Sequence, residues 1–427
     1  MRILLSGGKV YSEHGFRRLD IAVHDGHIVS LFPFIEKGGF DAVVDFNNLF
    51  IVPGFFDVHV HLRQPGFCYK ETVLTGTRAA ARGGYTGVCA MPNLNPAPDC
   101  IETLAESLSV IERDAQIEVI PYGTITRGEK GERLSDMAAL SPYVCGFTDD
   151  GRGVQSEALM REAMRAAKAE GKPIVAHCED NSLLKKGGCV HDGEYARLHS
   201  LVGISSESEW KQLERDLRLV NETGCRYHVC HISTKESVAL IRSAKAAGLP
   251  VTCETAPHYL ALCDEDLRDE GRFKMNPPIR SRADRAALLE GLADGTIDMI
   301  ATDHAPHSKE EKAGGLRESI MGITGLETAF PVLYTRLVKT GALPLETLVE
   351  RLSVAPRLFL GRDAEIKVGA RADFAALDLD KQYTIDSGSF LSLGRSTPFD
   401  GDTVTGEVAA TIYRGRIIWD RNTQRSL

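Results

Sequence analysis

Short apolar, β-branched runs recur through the middle of the chain, each followed by an amphipathic stretch, and this alternation constrains the fold most strongly. The runs are Phe55–His61, Gly87–Met91, Ile117–Gly123, Val144–Thr148, Pro173–Cys178, Tyr227–Ile232, Pro250–Glu254 and Met299–Asp303. Between them lie helical patterns such as TVLTGTRAAARG, SEALMREAMRAAKAEG, TKESVALIRSAKAAG and SRADRAALLEGLADG, which end at Gly as helix C-termini tend to. Strands alternating with helices in this number predict an α/β fold, a (β/α)8 TIM-type barrel. The ends of the chain differ. Segments such as RILLSGGKV, LDIAVHDGHIVSLF, DFAALDLD and AATIYRGRIIWD alternate between turns, which predicts antiparallel strands assembled from both termini into one small composite β-domain. The expected organisation is residues 1–53 and 356–427 for the β-domain and 54–355 for the barrel. A polar, charged stretch, APHSKEEKAGGLRES at 305–319, is expected as a mobile loop over the barrel mouth.

Barrel enzymes carry their reacting groups at the C-terminal ends of the strands, and here those positions hold metal-ligand residue types. The first run ends in His59-Val60-His61, whose period of two puts both imidazoles on one face. The fourth runs into Asp149-Asp150, the fifth ends at His177 and the sixth at His231. Each is unremarkable alone; together, at one end of one barrel, they are hard to reconcile with packing, because each polar group would need its own partner. Nitrogen and oxygen donors without thiolate suit Zn²⁺ in a catalytic role, and five ligands exceed one tetrahedral ion, so two ions sharing a carboxylate are expected. Alternation places His228 and Cys178 on the outer face, away from these ligands, but cannot choose between Asp149 and Asp150. Asp303, near the ions at the end of the eighth run, is placed to move a proton between water and a leaving group. Arg63 offers a planar fork for a carboxylate, and Asn93 and Asn276 can each donate and accept at a ring amide.

Composition removes several alternatives. Lys+Arg number 50 against 59 Asp+Glu, a net charge of −9, which argues against a nucleic-acid surface and points to local recognition of a small acidic substrate. No apolar run approaches a membrane span, and the start MRILLSGGKVYSEHG lacks a secretory signal, so a cytoplasmic location is expected. The 10 cysteines include no C-x-x-C and read as buried thiols. There is no G-x-S-x-G elbow, Walker motif or dinucleotide fingerprint.

The motifs DVHVHLRQPG, MPN, FTDDG, VAHCEDNS, HVCHISTKES, KMNPPIR and IATDHAPH, in this order over roughly residues 55–330, resemble the class I dihydroorotases of the amidohydrolase superfamily. The resemblance implies reversible ring closure of N-carbamoyl-L-aspartate to L-dihydroorotate in pyrimidine synthesis, with zinc. It assigns His59 and His61 to a first zinc, His177 and His231 to a second, Asp150 to the carboxylate between them, and Asp303 to the acid/base beside them. Arg63, Asn93, Asn276 and His307, with His61 and the Met321-Gly322 backbone, correspond to substrate contacts; similar proteins often carry Phe-Gly where Met321-Gly322 stands. The resemblance also implies a homodimer and an association with aspartate transcarbamoylase. The rival readings are a hydantoinase or dihydropyrimidinase, whose relatives usually bridge their metals with a carbamylated lysine that GFTDDG lacks, and an inactive scaffold for aspartate transcarbamoylase, which would have lost ligands.

Overall fold

The computed structural model describes residues 1–423. It is a mixed α/β chain in which the strands of both termini form one 8-stranded sheet. Strand Arg2–Ser12 pairs antiparallel with Gly15–His24, and Phe374–Thr384 pairs antiparallel with both Phe50–Pro53 and Thr403–Tyr413. The expectation of purely antiparallel pairing needs correction, because Arg2–Ser12 runs parallel to Ala42–Asp45 and to Phe50–Pro53. Alternation reports which face is buried and says nothing of direction, so this was not readable from the pattern. The inner face of the sheet buries Ile3, Leu5, Ile21, Val23, Ile28, Ile51, Phe374 and Ile412.

The middle of the chain supplies parallel pairs in sequence order. Phe55–Val60 pairs with Tyr85–Ala90, and that strand with Glu118–Pro121. Ile174–Ala176 pairs with Tyr227–Val229, then come Val251–Thr255 and Met299–Ile300. The expected strand at Val144–Thr148 is not a regular one; Phe147 alone bridges Gly123 on one side and Ile174 on the other. At the far end His304 bridges back to Val60, and the His61 amide donates to the His304 carbonyl at 2.9 Å. Inside these strands lie Phe56, Val58, Cys89, Met91, Tyr122, Val175, Cys230, Met299 and Ala301, with Phe359 packed among them.

Helices follow the strand ends, and their N-caps show why they start where they do. Thr72, Ser156, Thr234 and Ser281 each accept a bond from the backbone amide three residues on, in Val73–Arg82, Glu157–Ala169, Lys235–Ala246 and Arg282–Asp294. In Glu157–Ala169 the spacing of Met160, Ala163, Met164 and Ala167 sets one buried stripe against the strands. Burying each methionine there contributes about 1.5–3 kcal/mol. The last of these helices stops at Gly295, whose φ of 83° suits a residue without Cβ. A small parallel pair, Gly188–His191 with Val202–Ile204, was not expected from the sequence; strands of three or four residues in a polar, Gly-containing stretch carry too little periodicity. Within 305–319 the chain forms a short helix, Gly315–Glu318, and turns His307, Lys312 and Leu316 inward.

Candidate active site

The parallel strands end on one cluster of buried imidazoles and carboxylates. His59 and His61 lie at the end of the first strand with ring centroids 5.4 Å apart, as their spacing requires. Asp150 stands at the centre. Its Oδ1 is 3.4 Å from His59 Nε2, and its Oδ2 is 3.5 Å from His61 Nε2. The same Oδ1 is 3.8 Å from both His177 Nδ1 and His231 Nε2. His177 Nδ1 and His231 Nε2 face each other at 3.0 Å. Asp303 closes the other side, with Oδ1 3.1 Å from His61 Nε2 and 3.5 Å from His59 Nε2.

The choice that the sequence left open between two aspartates has a structural basis. Asp149 accepts the amides of Ile125 at 2.8 Å and Thr126 at 3.0 Å, plus the Thr126 hydroxyl, so it ties the loop together. Asp150 alone faces the histidines. His231 and Asp303 both adopt left-handed backbone, φ 32° and 46°, and so do Arg63 at 59° and Glu129 at 56°. Such non-glycine residues cost of order 1–3 kcal/mol each and persist only where surrounding contacts hold them.

The expectation for His228 is overturned. It does not face outward: its Nε2 donates to Glu254 Oε2 at 3.1 Å, and its ring lies 4.6 Å from Phe359 among the residues inside the strands. The strand stops at Val229, so by His231 the period of two no longer applies. Cys178 does face outward, against the Tyr227 hydroxyl at 3.4 Å.

Glu254 is the residue that sequence reasoning passed over. Its other oxygen, Oε1, accepts from His59 Nδ1 at 2.7 Å. That bond fixes the His59 tautomer and leaves Nε2 as a lone pair aimed at the cluster. Burial would raise the Glu254 carboxyl, but the bonds from His228 and His59 bring it down to about 2. Its signal was available, since a carboxylate closed an otherwise apolar strand run. Glu179 stands beside the second pair, 3.5 Å from His177 Nε2, while accepting from Asn276 Nδ2 at 3.1 and 3.2 Å. His258, also unremarked in the sequence, is buried beside Asp303 and His231; burial brings it down to about 4.

The donor set fits metal ions. A tetrahedral ion with bonds of about 2.0–2.1 Å separates two donor atoms by roughly 3.3 Å, close to the spacing found around Asp150. His59 Nε2 and Asp150 Oδ1, which face each other, are both buried without a hydrogen-bond partner. Two groups of ligand atoms lie within 4.8 Å of one another: His59, Asp150 and His231, and His59, His61 and Asp303. A third, His59 with Cys230 and Glu254, lies behind the first, and burial pushes the Cys230 thiol up, away from thiolate. Burial opposes charge throughout, yet Asp150 is held well below and His59 well above the usual values by their mutual attraction. Asp303 is likewise kept below the usual carboxylate range against burial, by the bond from His61 and by the charges of His59 and His61. His61 goes the other way, lowered by burial and by the Arg63 charge, which keeps its ring neutral and able to offer a lone pair to an ion.

The remaining expected residues line one side. Arg63 Nε donates to the Pro306 carbonyl at 3.3 Å, and its Nη2 lies 3.4 Å from His307. His307 Nε2 donates to the Met321 carbonyl at 2.8 Å while Nδ1 accepts from Lys70 at 3.2 Å, so the ring is neutral. Burial and the neighbouring cations, Arg63 first, take it down to about 3. Gly322 has φ 130°, and a Cβ there would sit 2.7 Å from the Ala305 carbonyl and 2.9 Å from His307 Nε2. Asn93 Nδ2 donates to the Asp150 carbonyl at 2.6 Å and to Glu129 at 3.3 Å.

Comparison with known proteins agrees with this layout. The family described as dihydro-orotase-like matches residues 48–237. The dihydroorotase of Anoxybacillus flavithermus is 50% identical over 405 residues, covering 94% of each chain, and that of Geobacillus thermodenitrificans is 49% identical over 99% of each. This chain belongs to the dihydroorotase family. Members of the family hydrolyse cyclic amide C–N bonds, and this chain is such an enzyme. Among solved structures, the L-hydantoinase of Arthrobacter aurescens superposes with a TM-score of 0.89 at 26% identity, covering 100% of this chain and 97% of that one. The dihydropyrimidinase of Brevibacillus agri has a TM-score of 0.86 at 20% identity, covering 100% and 96%, a likeness of fold alone. Among the described residues no helix is long and apolar enough to cross a membrane.

Proposed function

We propose that this dihydroorotase interconverts N-carbamoyl-L-aspartate and L-dihydroorotate on two zinc ions at one end of a (β/α)8 barrel formed by residues 54–355. Residues 1–53 and the described part of 356–427, up to 423, form the composite β-domain beside it. The observation that carries the reading is Asp150, whose carboxylate touches two pairs of imidazoles at once, His59 with His61 and His177 with His231. His59, His61 and Asp150 would hold one ion, with Asp303 alongside, and His177, His231 and Asp150 the other. Zinc in that position supplies Lewis acidity, making water a nucleophile near neutral pH and polarising the amide carbonyl.

The chain's own groups do the rest. Asp303, ionised at neutral pH, takes the proton of the attacking water and returns it to the departing ring nitrogen. Arg63 grips the substrate carboxylate with the guanidinium edge not spent on Pro306. The amide nitrogens of Asn93 and Asn276 are occupied by protein acceptors, and each carbonyl oxygen is buried and unpartnered. Each therefore presents an acceptor, and the N–H groups of the dihydroorotate ring are the donors that fit. Arg63 is half-buried, and a guanidinium partly withdrawn from water pairs more strongly with a carboxylate, which favours dihydroorotate over hydantoins and dihydrouracil, ring amides without that group.

The test is turnover of dihydroorotate, hydantoin and dihydrouracil by purified protein, followed through amide absorbance, before and after chelation. Dihydroorotate is opened much the fastest, and chelation abolishes the reaction until zinc is returned. Equal turnover of the uncharged rings would refute the assignment of Arg63.

A further inference from the structure

The segment that follows Asp303 carries His307 near its start and Met321-Gly322 at its end, and inside it lies one buried lysine. Lys312 is only 9% exposed. Its ammonium donates to three backbone carbonyls: Lys274 at 3.0 Å, Ile320 at 2.7 Å and Gly322 at 2.7 Å. Those bonds use all three N–H groups of a primary ammonium. The Lys274 carbonyl also accepts from the Gly322 amide at 3.1 Å, so two separate pieces of backbone meet at this point.

What the two pieces carry gives the contact its meaning. Lys274 lies two residues before Asn276, whose side chain is set against Glu179. Gly322 follows Met321, whose carbonyl orients the neutral His307 ring. An apolar residue would fill the same space without the cost of burying a charge, so packing alone gives no reason for a lysine. A cation with three fixed donors, by contrast, sets the position of three carbonyl oxygens relative to one another.

We propose that Lys312 is a positioning residue for the dihydroorotate reaction, its ammonium locking the Lys274–Asn276 backbone to the Ile320–Gly322 backbone and so placing Asn276 and His307 against the substrate. Lys312 touches neither substrate nor metal ligands; it acts through the two segments it joins. The inference rests on the substrate contacts proposed above.

Two variants test it, Lys312→Met, which keeps the length and removes every donor, and Lys312→Gln, which keeps two N–H groups. Zinc content, melting temperature and steady-state kinetics with dihydroorotate are measured for both and for the wild type. KM rises in the order wild type, Gln, Met, by about tenfold or more for Met, with kcat within about threefold, because ground-state and transition-state binding are lost together. Zinc content stays unchanged. KM within about twofold of wild type in the folded variants, or a fall in kcat at constant KM, overturns the proposal. If the Met variant does not fold, the Gln variant decides alone. A wild type that does not turn over dihydroorotate would instead refute the underlying function, which separates the two failures.

Discussion

Replacing Glu254 by Gln probes how this site is built, because one carboxylate there serves two histidines. Glu254 is 1% exposed and accepts from His59 Nδ1 at 2.7 Å and from His228 Nε2 at 3.1 Å. A glutamine of the same shape has one acceptor oxygen and one NH2 group, so only one ring can still donate to it. The other ring must present a lone pair. His228 can do so, because its Nδ1 lies 2.8 Å from the Thr252 hydroxyl, which serves as donor or acceptor. His59 cannot: protonating its Nε2 would remove the lone pair that faces Asp150 and Asp303. In either arrangement His59 loses a charged partner and becomes a poorer ligand. Changes to such outer partners typically weaken metal affinity by about 10–100-fold, and at about 1.4 kcal/mol per tenfold this is roughly 1.4–2.8 kcal/mol. The assay is competition between the protein and a chromophoric chelator for zinc, with the melting temperature of the metal-stripped protein measured beside it. Affinity within about twofold of wild type would refute the view that Glu254 orients a ligand.

Three further outcomes follow from the same geometry. Asp303→Ala lowers kcat by at least about 10²–10⁴-fold while zinc bound at Asp150 and the histidines is retained; substantial turnover would contradict its role in proton transfer. His59 and His177 are both raised above the usual histidine value despite burial, by Asp150 and by Glu179 respectively, so the stripped site holds protons that zinc must displace. Metal binding therefore releases protons near neutral pH and weakens as pH falls, which calorimetry in buffers of different ionisation enthalpy measures; binding without proton release would count against it. Gly322→Ala forces a Cβ to 2.7 Å from the Ala305 carbonyl at φ 130°, which costs about 1–3 kcal/mol and moves His307. KM for dihydroorotate rises, and an unchanged KM would show that His307 does not face the substrate.

Much of the candidate site was legible in the sequence because its imidazoles and carboxylates lie at the ends of strands that periodicity locates. His59 and His61 share a face by spacing, and His177 sits where alternation leaves it inward, with Cys178 outward. The misplacement of His228 shows where that reasoning ends: the regular strand stops two residues before His231, whose left-handed φ of 32° turns its ring into the cluster. Glu254 and His59 are 195 positions apart, and no local pattern couples them. The same holds for Glu179 and Asn276, 97 positions apart. In the fold, helix starts were readable from Thr72, Ser156, Thr234 and Ser281 because capping is local chemistry. Strand direction in the terminal sheet and the single-residue bridge at Phe147 depend on pairing across distance and left no such mark.

The most direct measurement is anomalous diffraction at the zinc edge from crystals of the purified protein. Two peaks are expected on either side of the Asp150 carboxylate, one toward His59 and His61 and one toward His177 and His231. Absence of anomalous density beside Asp150 in fully active, zinc-loaded protein, or density placed instead behind His59 at Cys230 and Glu254, would contradict the account.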